Sequence, residues 1–142
     1  MQTDLKKNKC VLVINPELPL GLIANTAMIL GLTIGNKTGE FIGSDVVDAS
    51  GQQHLGITTI PIPILKGTKE KLTELMGIMS SEDYSDLLVV DFSNVAQMCL
   101  TYDDYISKAA ATPQEEFEYL GIGVYGDSKK VTKLTGSLPL LR

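Results

Sequence analysis

The stretch of residues 9–35, KCVLVINPELPLGLIANTAMILGLTIG, constrains the fold of this chain more than any other. Its residues 10–14 form an uninterrupted, mostly β-branched apolar run, which is typical of a strand covered on both faces in an α/β sheet. Asn15 precedes Pro16, and the proline ring ends the strand there. From Leu22 onward, apolar side chains recur at helical spacing and also fill the flanking positions. The pattern predicts a helix that is buried on nearly all sides and ends at Gly35.

The composition fits one soluble domain. A chain of 142 residues is long enough for a single core, so residues 1–142 are expected to form one domain. Hydrophobic residues make up 44% and charged residues 20%, as in globular proteins. No apolar run approaches the ~20 residues of a membrane span, and residues 1–8 are too polar and short for a signal peptide. We therefore expect a cytoplasmic protein with no membrane partner.

The charge of the chain argues against a general nucleic-acid binder. The formal net charge is -5 and the pI is about 4.8, whereas neutralising phosphates needs a basic face. The lysines Lys129, Lys130 and Lys133 gather near the C-terminus. A solvated surface segment is the preferred interpretation of this cluster, and a local anion contact is the alternative.

The motifs of common cofactor and metal chemistries are missing from the places where those chemistries need them. The loop that directly follows the first strand contains no GxGxxG, and the sequence contains no GxxxxGK[ST], no HExxH and no paired CxxC. Cys10 and Cys99 are interpreted as small core residues. His54 is the only histidine, and nothing near it in sequence resembles a nucleophile elbow, so its role stays open. We expect neither a cofactor nor a metal.

Three further patterns predict elements of a sheet. Residues 57–65 alternate around Pro61 and Pro63, which remove two donors from one edge and predict a strand at the border of the sheet. A turn at residues 50–51 predicts a small hairpin. In a strand over residues 120–125, Gly121 and Gly123 share one face and leave room for close packing.

A second apolar run, residues 87–90, predicts another fully buried strand, with Asp91 directly at its end. Asp91 is there either a cap for the residues that follow or a site residue. In open α/β sheets, ligands collect beyond the carboxyl ends of the strands. We therefore predict a ligand pocket lined by the hydrogen-bonding side chains of Asn15, Asn25, Asp91 and Gln97.

Three segments of the chain resemble a known family. They are VLVINPELPLGLIANTA, LLVVDFSNVAQ and YGDSKKVTKLTGSLPLLR. The chain resembles the uncharacterised bacterial family known as domain of unknown function two thousand. That family is similar in fold to the type II, archaeal-type peptidyl-tRNA hydrolases. The resemblance implies an α/β fold, namely a three-layer α/β/α sandwich with a small mixed sheet, which is often dimeric in the hydrolases.

The resemblance to the hydrolases can be followed residue by residue. Their loop after the first strand carries lysines implied in catalysis and tRNA contact, whereas the corresponding residues 17–22 here, ELPLGL, contain none. Asp91 and Gln97 match their Asp-Ala-Gly-x-Thr-Gln motif, but an extra residue intervenes and alanine replaces the threonine. Their Val-Thr-Gly ending is matched by residues 134–136. The framework is similar, and much of the active-site pattern is not.

Three functions are therefore considered, and enzymatic activity stays open. The leading hypothesis is a domain that binds a small ligand or a protein partner at the carboxyl ends of its strands. The second is a hydrolase acting on peptidyl-tRNA or another ester or amide, with Asp91 as its catalytic residue. The third is a structural module whose function is homodimerisation.

Overall fold

A computed structural model describes residues 7–142, which fold into a mixed sheet with helices on both faces. The strands are β1 (Asn8–Ile14), β2 (Val46–Val47), β3 (Gln53–His54), β4 (Ile64–Lys66), β5 (Leu88–Ser93) and β6 (Tyr119–Asp127). The helices are α1 (Leu20–Thr38), α2 (Lys69–Met79), α3 (Asn94–Gln97), α4 (Tyr102–Ala110) and α5 (Ser128–Thr135). Short 3-10 turns occupy Glu82–Tyr84 and Gln114–Glu116.

The main sheet has four strands in the order β4–β1–β6–β5. β1 is parallel to β4 and antiparallel to β6, and β5 is also antiparallel to β6. Strands β1, β4 and β5 therefore run in the same direction and end at the same side of the sheet. The predicted mixed α/β sheet is confirmed.

The core lies in two layers, one on each face of the sheet. On one face Cys10 and Leu12 of β1 pack in a cluster with Leu30 and Ile34 of α1. On the other face the alternate residues of β1 pack against α2 and α5 in a second cluster, whose members include Val11, Val13, Leu72, Leu75, Val131 and Leu134. Alternation along β1 thus supplies both cores, because successive strand residues point to opposite faces.

Helix α1 is less buried than its sequence suggests. Only Thr26, Leu30 and Ile34 are buried, while Leu20 and Leu32 are 81% and 70% exposed. The expectation of a helix buried on nearly all sides is wrong for the described chain. The sheet covers one stripe of the helix, and no other described element covers the opposite stripe.

The end of α1 also differs from expectation. The helix passes through Gly35 and stops at Thr38, followed by Gly39 in the left-handed conformation with φ of 68°. The Gly39 N–H donates to the Gly35 carbonyl at 2.9 Å. A glycine adopts this backbone without a Cβ penalty, so Gly39 is the stop signal.

The two edges of the sheet are built differently. At β4, the C-terminal segment closes the edge, because Leu141 N–H donates to Ile64 O at 2.8 Å and Lys66 N–H donates to Pro139 O at 2.9 Å. The predicted border position is confirmed, although the strand is limited to Ile64–Lys66 and begins after Pro63.

At the other edge lies β5, which was expected to be fully buried and to end before Asp91. It continues through Asp91 to Ser93 and is the outermost strand, with Leu88 to Asp91 only partly buried. The apolar run predicts a strand correctly, but it carries no information on how many neighbours the strand has.

The predicted hairpin forms between β2 and β3. Within residues 7–142, no helix combines the length and the apolar character that crossing a membrane requires.

Close approach of α1 to the sheet depends on two glycines of β6. A Cβ built on Gly121 would lie 2.7 Å from Thr26 Cγ2 and 3.2 Å from Val13 O. At Gly123 it would meet Ile34 Cδ1 at 2.7 Å. The prediction that Gly121 and Gly123 leave room for close packing is confirmed.

Gly121→Ala is expected to lower the free energy of unfolding by about 1–3 kcal/mol, because the β-branched Thr26 and the backbone of β1 cannot move aside easily. Gly35→Ala is the control, since a Cβ there meets nothing within 4 Å. It is expected to raise the free energy of unfolding by about 0.5–1 kcal/mol, the helix-propensity difference between the two residues. Urea denaturation measures both, and an unchanged Gly121→Ala midpoint would contradict the packing argument.

Candidate binding site

A cleft of about 560 Å3 follows the outer side of β5, between α1 and the α3–α4 segment. Its lining residues from α1 and β5 are Ile29, Thr33, Lys37, Leu88, Val89, Val90, Asp91 and Phe92. Those from the α3–α4 side are Ala96, Cys99, Leu100, Thr101, Tyr102 and Tyr105. The cleft is mostly apolar, with a single carboxyl group and a single ammonium group among its lining residues. We call it the Asp91 cleft.

Asp91 lies within β5, in register with Ile122 of β6. Residues directly opposite in an antiparallel pair point to the same face, so Asp91 shares the face of Ile122 and of Tyr119, both of which belong to the α2–α5 core. The edge position keeps the carboxyl at the border of that core. Asp91 is therefore partly buried but open towards the cleft.

Burial raises the pKa of the Asp91 carboxyl above its usual range. Only its own backbone N–H favours the charged form through a hydrogen bond, and no other described residue donates to it. Carboxylates that are half removed from water normally have hydrogen-bond or ionic partners. The Asp91 carboxyl consequently has unused acceptor capacity in a residue that lines the cleft.

Two tyrosines surround this carboxyl. Burial raises the pKa of Tyr105 and of Tyr119, and the nearby negative charge of Asp91 raises both further. For Tyr119, a hydrogen bond with the Gln114 side chain acts in the opposite direction. Both phenols thus keep their protons at neutral pH and can act as hydrogen-bond donors beside Asp91.

Helix α4 positions the aromatic wall of the cleft. The helix begins after Thr101, whose hydroxyl accepts from the Asp104 N–H at 3.1 Å. Tyr102 and Tyr105 are three residues apart and therefore neighbours on the helix surface. Their rings contact edge to face, with centroids 5.6 Å apart. The N-cap of a short helix thus fixes a pair of aromatic rings against the cleft.

Of the four predicted site residues, only Asp91 lines the cleft. Asn15 is buried at the end of β1, where its Oδ1 accepts from the Glu17 N–H at 2.9 Å and shapes the loop. Asn25 is exposed on α1, and Gln97 is exposed at the end of α3. The structure does not bring the four side chains into this cleft, so ligand contacts by the other three stay a prediction.

Sequence reasoning missed the remaining polar groups of this region. Tyr105 and Tyr119 come from two elements that only the tertiary fold brings to Asp91, and Lys37 of α1 lines the same cleft. Ser93 occupies the N-cap position of α3, but its Oγ makes no capping bond and is the one buried side-chain polar atom without a partner among the described residues. The Tyr-x-x-Tyr spacing after Thr101 is the one signal in the sequence that could have been recognised.

Other candidate residues have structural partners. The His54 Nε2 lies 2.8 Å from Asp48 Oδ2 within the hairpin, and this contact is the largest cause of the lowered pKa of Asp48. Lys130 Nζ donates to Asp86 Oδ1 and to the Asp83 carbonyl, both at 2.9 Å. These contacts give His54 and Lys130 local roles in holding surface segments together.

The described residues contain no group of three or more histidine, cysteine, aspartate or glutamate side chains able to hold a metal ion. Burial raises the pKa of Cys10 to about 11, so this thiol is protonated and inert. Cys99 also remains a free thiol, and its Sγ contacts the Val95 carbonyl at 3.2 Å.

Comparisons with known proteins place the chain without assigning it an activity. The model of a family described as protein of unknown function (DUF2000) matches residues 8–142. Among solved structures, the chain is similar to the protein of unknown function Atu0240 from Agrobacterium tumefaciens strain C58. The two share 18% identity with a TM-score of 0.83, over 94% of this chain and 97% of that one. This likeness concerns the fold alone, and no curated protein matches the sequence.

Asp91→Asn is expected to stabilise the protein at neutral pH. Because burial raises the pKa of Asp91 in the folded state, the unfolded chain loses this proton first as the pH rises above about 4, and the folded state becomes relatively less stable. The increase in the free energy of unfolding caused by Asp91→Asn should be near zero at pH 3 and grow towards pH 7, as measured by urea denaturation. Asp103→Asn is the control: this exposed acid favours the start of α4, so its removal should give no gain. If the free energies of unfolding of Asp91→Asn and of the parent protein differ by the same amount from pH 3 to pH 7, the burial argument is contradicted.

Proposed function

The chain belongs to the DUF2000 family of proteins of unknown function, and we propose that it is a binding protein whose ligand occupies the Asp91 cleft. The proposal keeps the binding site at the sheet but moves it from the strand ends to the open side of β5. Asp91 is the anchor of the ligand, and the tyrosines beside it complete the polar part of the site.

The observation that carries the proposal is the half-buried Asp91 carboxyl with no donor from another described residue. A buried polar group left without partners costs about 1–3 kcal/mol, and more when it is charged. A folded protein that keeps such a group is less stable than it could be. A ligand that donates to Asp91 removes this cost, so the group stabilises the complex more than the free protein.

The lining of the cleft defines the chemistry of the ligand. Asp91 accepts from a cationic or N–H donor group, and the Tyr105 hydroxyl adds a donor at its side. Aliphatic side chains of α1 and β5 and the Tyr102 ring contact an apolar or aromatic body. The volume of about 560 Å3 falls within the ~300–1,000 Å3 of ligand sites in proteins. The fitting ligand therefore joins an amine or amide donor to an apolar body.

Ligand titrations followed by NMR test this proposal. Phenethylamine, phenylacetamide and phenylacetate share one aromatic body and differ in the polar group. Phenethylamine is expected to bind at least tenfold more tightly than phenylacetate, because hydrogen bonds between charged groups contribute about 1.5–3 kcal/mol. The shifted backbone amides should lie in β5 and α4.

The control for this titration is a pair of matched substitutions. Asp91→Asn should abolish the preference for the amine, whereas Asp103→Asn on the exposed side of α4 should preserve it. Equal affinity of the three compounds for the parent protein, or an amine preference that survives Asp91→Asn, would refute the role of Asp91 as the anchor.

A second candidate function is hydrolysis, and the raised pKa of Asp91 favours it. A carboxyl whose pKa is raised in a cleft can act as a general base, and proton transfer of this kind contributes about 10²–10⁴-fold to a rate. The resemblance to peptidyl-tRNA hydrolases motivates the substrate class, an ester or amide. Against it, residues 17–22 supply no lysine, so the charge that would contact tRNA is missing there.

An assay with peptidyl-tRNA and with a simple activated ester decides this candidate. If the protein is a hydrolase, deacylation should exceed the background rate and fall at least 100-fold in Asp91→Asn, with Asp103→Asn unaffected. Background rates on both substrates with folded protein would refute it, and binding of phenethylamine without turnover would leave the binding function standing alone.

A further inference from the structure

The outer edge of β5 carries backbone groups without partners, as the hydrogen-bond alternation of the sheet shows. In β1, the Leu12 N–H donates to Pro63 O on the β4 side, and the Asn15 N–H donates to Leu120 O on the β6 side, both at 3.0 Å. Residues of an antiparallel strand alternate between pairs that exchange hydrogen bonds and pairs that do not. The even-numbered residues 120, 122 and 124 of β6 therefore face β1, and the odd-numbered residues 121, 123 and 125 face β5.

The register between β6 and β5 determines which residues of β5 face outward. Gly123 of β6 is opposite Val90, so Val90 exchanges its backbone hydrogen bonds with β6. Its neighbours Val89 and Asp91 then direct their N–H and C=O groups outward, and no described strand pairs with that edge. Two acceptors and two donors thus lie on the floor of the Asp91 cleft, spaced as an added strand requires. One of the donors, the Asp91 N–H, also contacts its own carboxyl, and an added strand would take over that N–H.

This open edge contrasts with the opposite edge of the same sheet. At β4 the C-terminal segment pairs with the strand, and Pro61 and Pro63 precede it. The sequence of β5, LVVDFS, contains neither proline nor lysine, the residues that commonly protect edges. Within residues 7–142, β5 is protected by the helices that flank it, by the Asp91 charge and by the bulge between Phe92 and Ser93, and none of these pairs with its outward backbone groups.

The walls of the Asp91 cleft favour a single extended chain as its occupant. Ile29 of α1 and Tyr102 of α4 belong to opposite walls of the Asp91 cleft, with β5 between them. At the N-terminal end of β5 a second cleft of about 580 Å3 shares Lys37 and Leu88 with the first and continues it. Six strand residues span roughly 20 Å. A single extended segment along β5 would therefore contact the lining residues of both walls.

We propose that β5 binds an extended segment of another protein as a fifth strand, with a lysine or arginine of that segment beside Asp91. The inference depends on the proposed binding function and specifies its ligand class. Directly opposed residues on adjacent strands share a face and form cross-strand pairs, so a cation opposite Asp91 fills its unused acceptor capacity. At the other end, the continuing cleft is lined by two lysines, Lys7 and Lys37, and by two acids, Asp86 and Asp127, so the one charge preference of the site is that of Asp91.

The probe is an acetylated, amidated octapeptide of alternating valine and threonine with one central lysine. Amide hydrogen exchange measured by NMR should show at least tenfold slower exchange at Val89 and Asp91 on saturation. The Val90 amide, already paired with β6, is the internal control and should change little. The same peptide with a central glutamate should bind at least tenfold more weakly, as should a version N-methylated at alternate residues.

Two variants at one position separate the backbone from the side chain. Val89→Pro removes an outward N–H, which an edge strand tolerates, together with the Val89 side-chain packing on the α2–α5 core, and should weaken binding of the lysine peptide at least tenfold. Val89→Ala shortens the same side chain but keeps the N–H, and should bind within about threefold of the parent protein, a difference of under about 1 kcal/mol. Circular dichroism and denaturation confirm that both variants fold.

The outcomes distinguish this inference from the proposed function. Phenethylamine binding at Asp91 together with unchanged exchange at Val89 and Asp91 for every peptide at millimolar concentration would overturn strand addition and leave the small-ligand function intact. Absence of binding by both probes would overturn both. Protection of the two amides that grows with protein concentration without peptide would show a second copy at the edge and would also overturn the proposal.

Discussion

The antiparallel pairing of β6 with both β1 and β5 is the constraint on which the rest of the structure depends. It fixes which residues of β5 contribute to the ladder and which face outward. It also aligns Asp91 with Ile122, so that a carboxyl lies at the border of the α2–α5 core. A shift of one residue in this register would exchange the faces and send Asp91 to the side of α1.

Helix α1 packs closely on this sheet only because β6 carries glycines where α1 crosses it. Gly121 and Gly123 allow Thr26 and Ile34 to approach the strand, and α1 thereby forms one wall of the Asp91 cleft. The packing of α1 on the sheet and the shape of the Asp91 cleft are therefore connected. The residues that bring α1 close to the sheet also set the width of the groove beside β5.

Much of the fold could be predicted from the sequence, because its strongest signals are local. The run at residues 10–14 and the alternate glycines of β6 each predict their environment through the period of the strand. The burial of α1 could not be predicted in the same way, since Leu20 and Leu32 are apolar but exposed. No described element covers this exposed face of α1, and nothing in the structure identifies a partner for it. The predicted homodimer therefore stays a prediction.

The site was only partly predictable for the same reason. Asp91 was identified from its position after an apolar run, although the strand extends past it. Asn25 was selected for its place in the first turns of α1 and Gln97 for its match to the hydrolase motif, and the structure leaves both exposed on their helices. The course of the chain between α4 and β6 brings Tyr105 and Tyr119 near Asp91. No local sequence pattern predicts that course. The similarity to the peptidyl-tRNA hydrolases likewise stays a prediction.

The central claim is that the partly buried Asp91 carboxyl accepts a hydrogen bond from a bound ligand. Carbon-13 NMR of the Asp91 side-chain carboxyl, titrated with pH in the free protein and with saturating phenethylamine, measures this most directly. The account predicts a pKa above the ordinary aspartate range in the free protein, because burial raises it, and a lower pKa once the ammonium group is bound. An ordinary or lowered pKa in the free protein, or one that phenethylamine does not change, would contradict it.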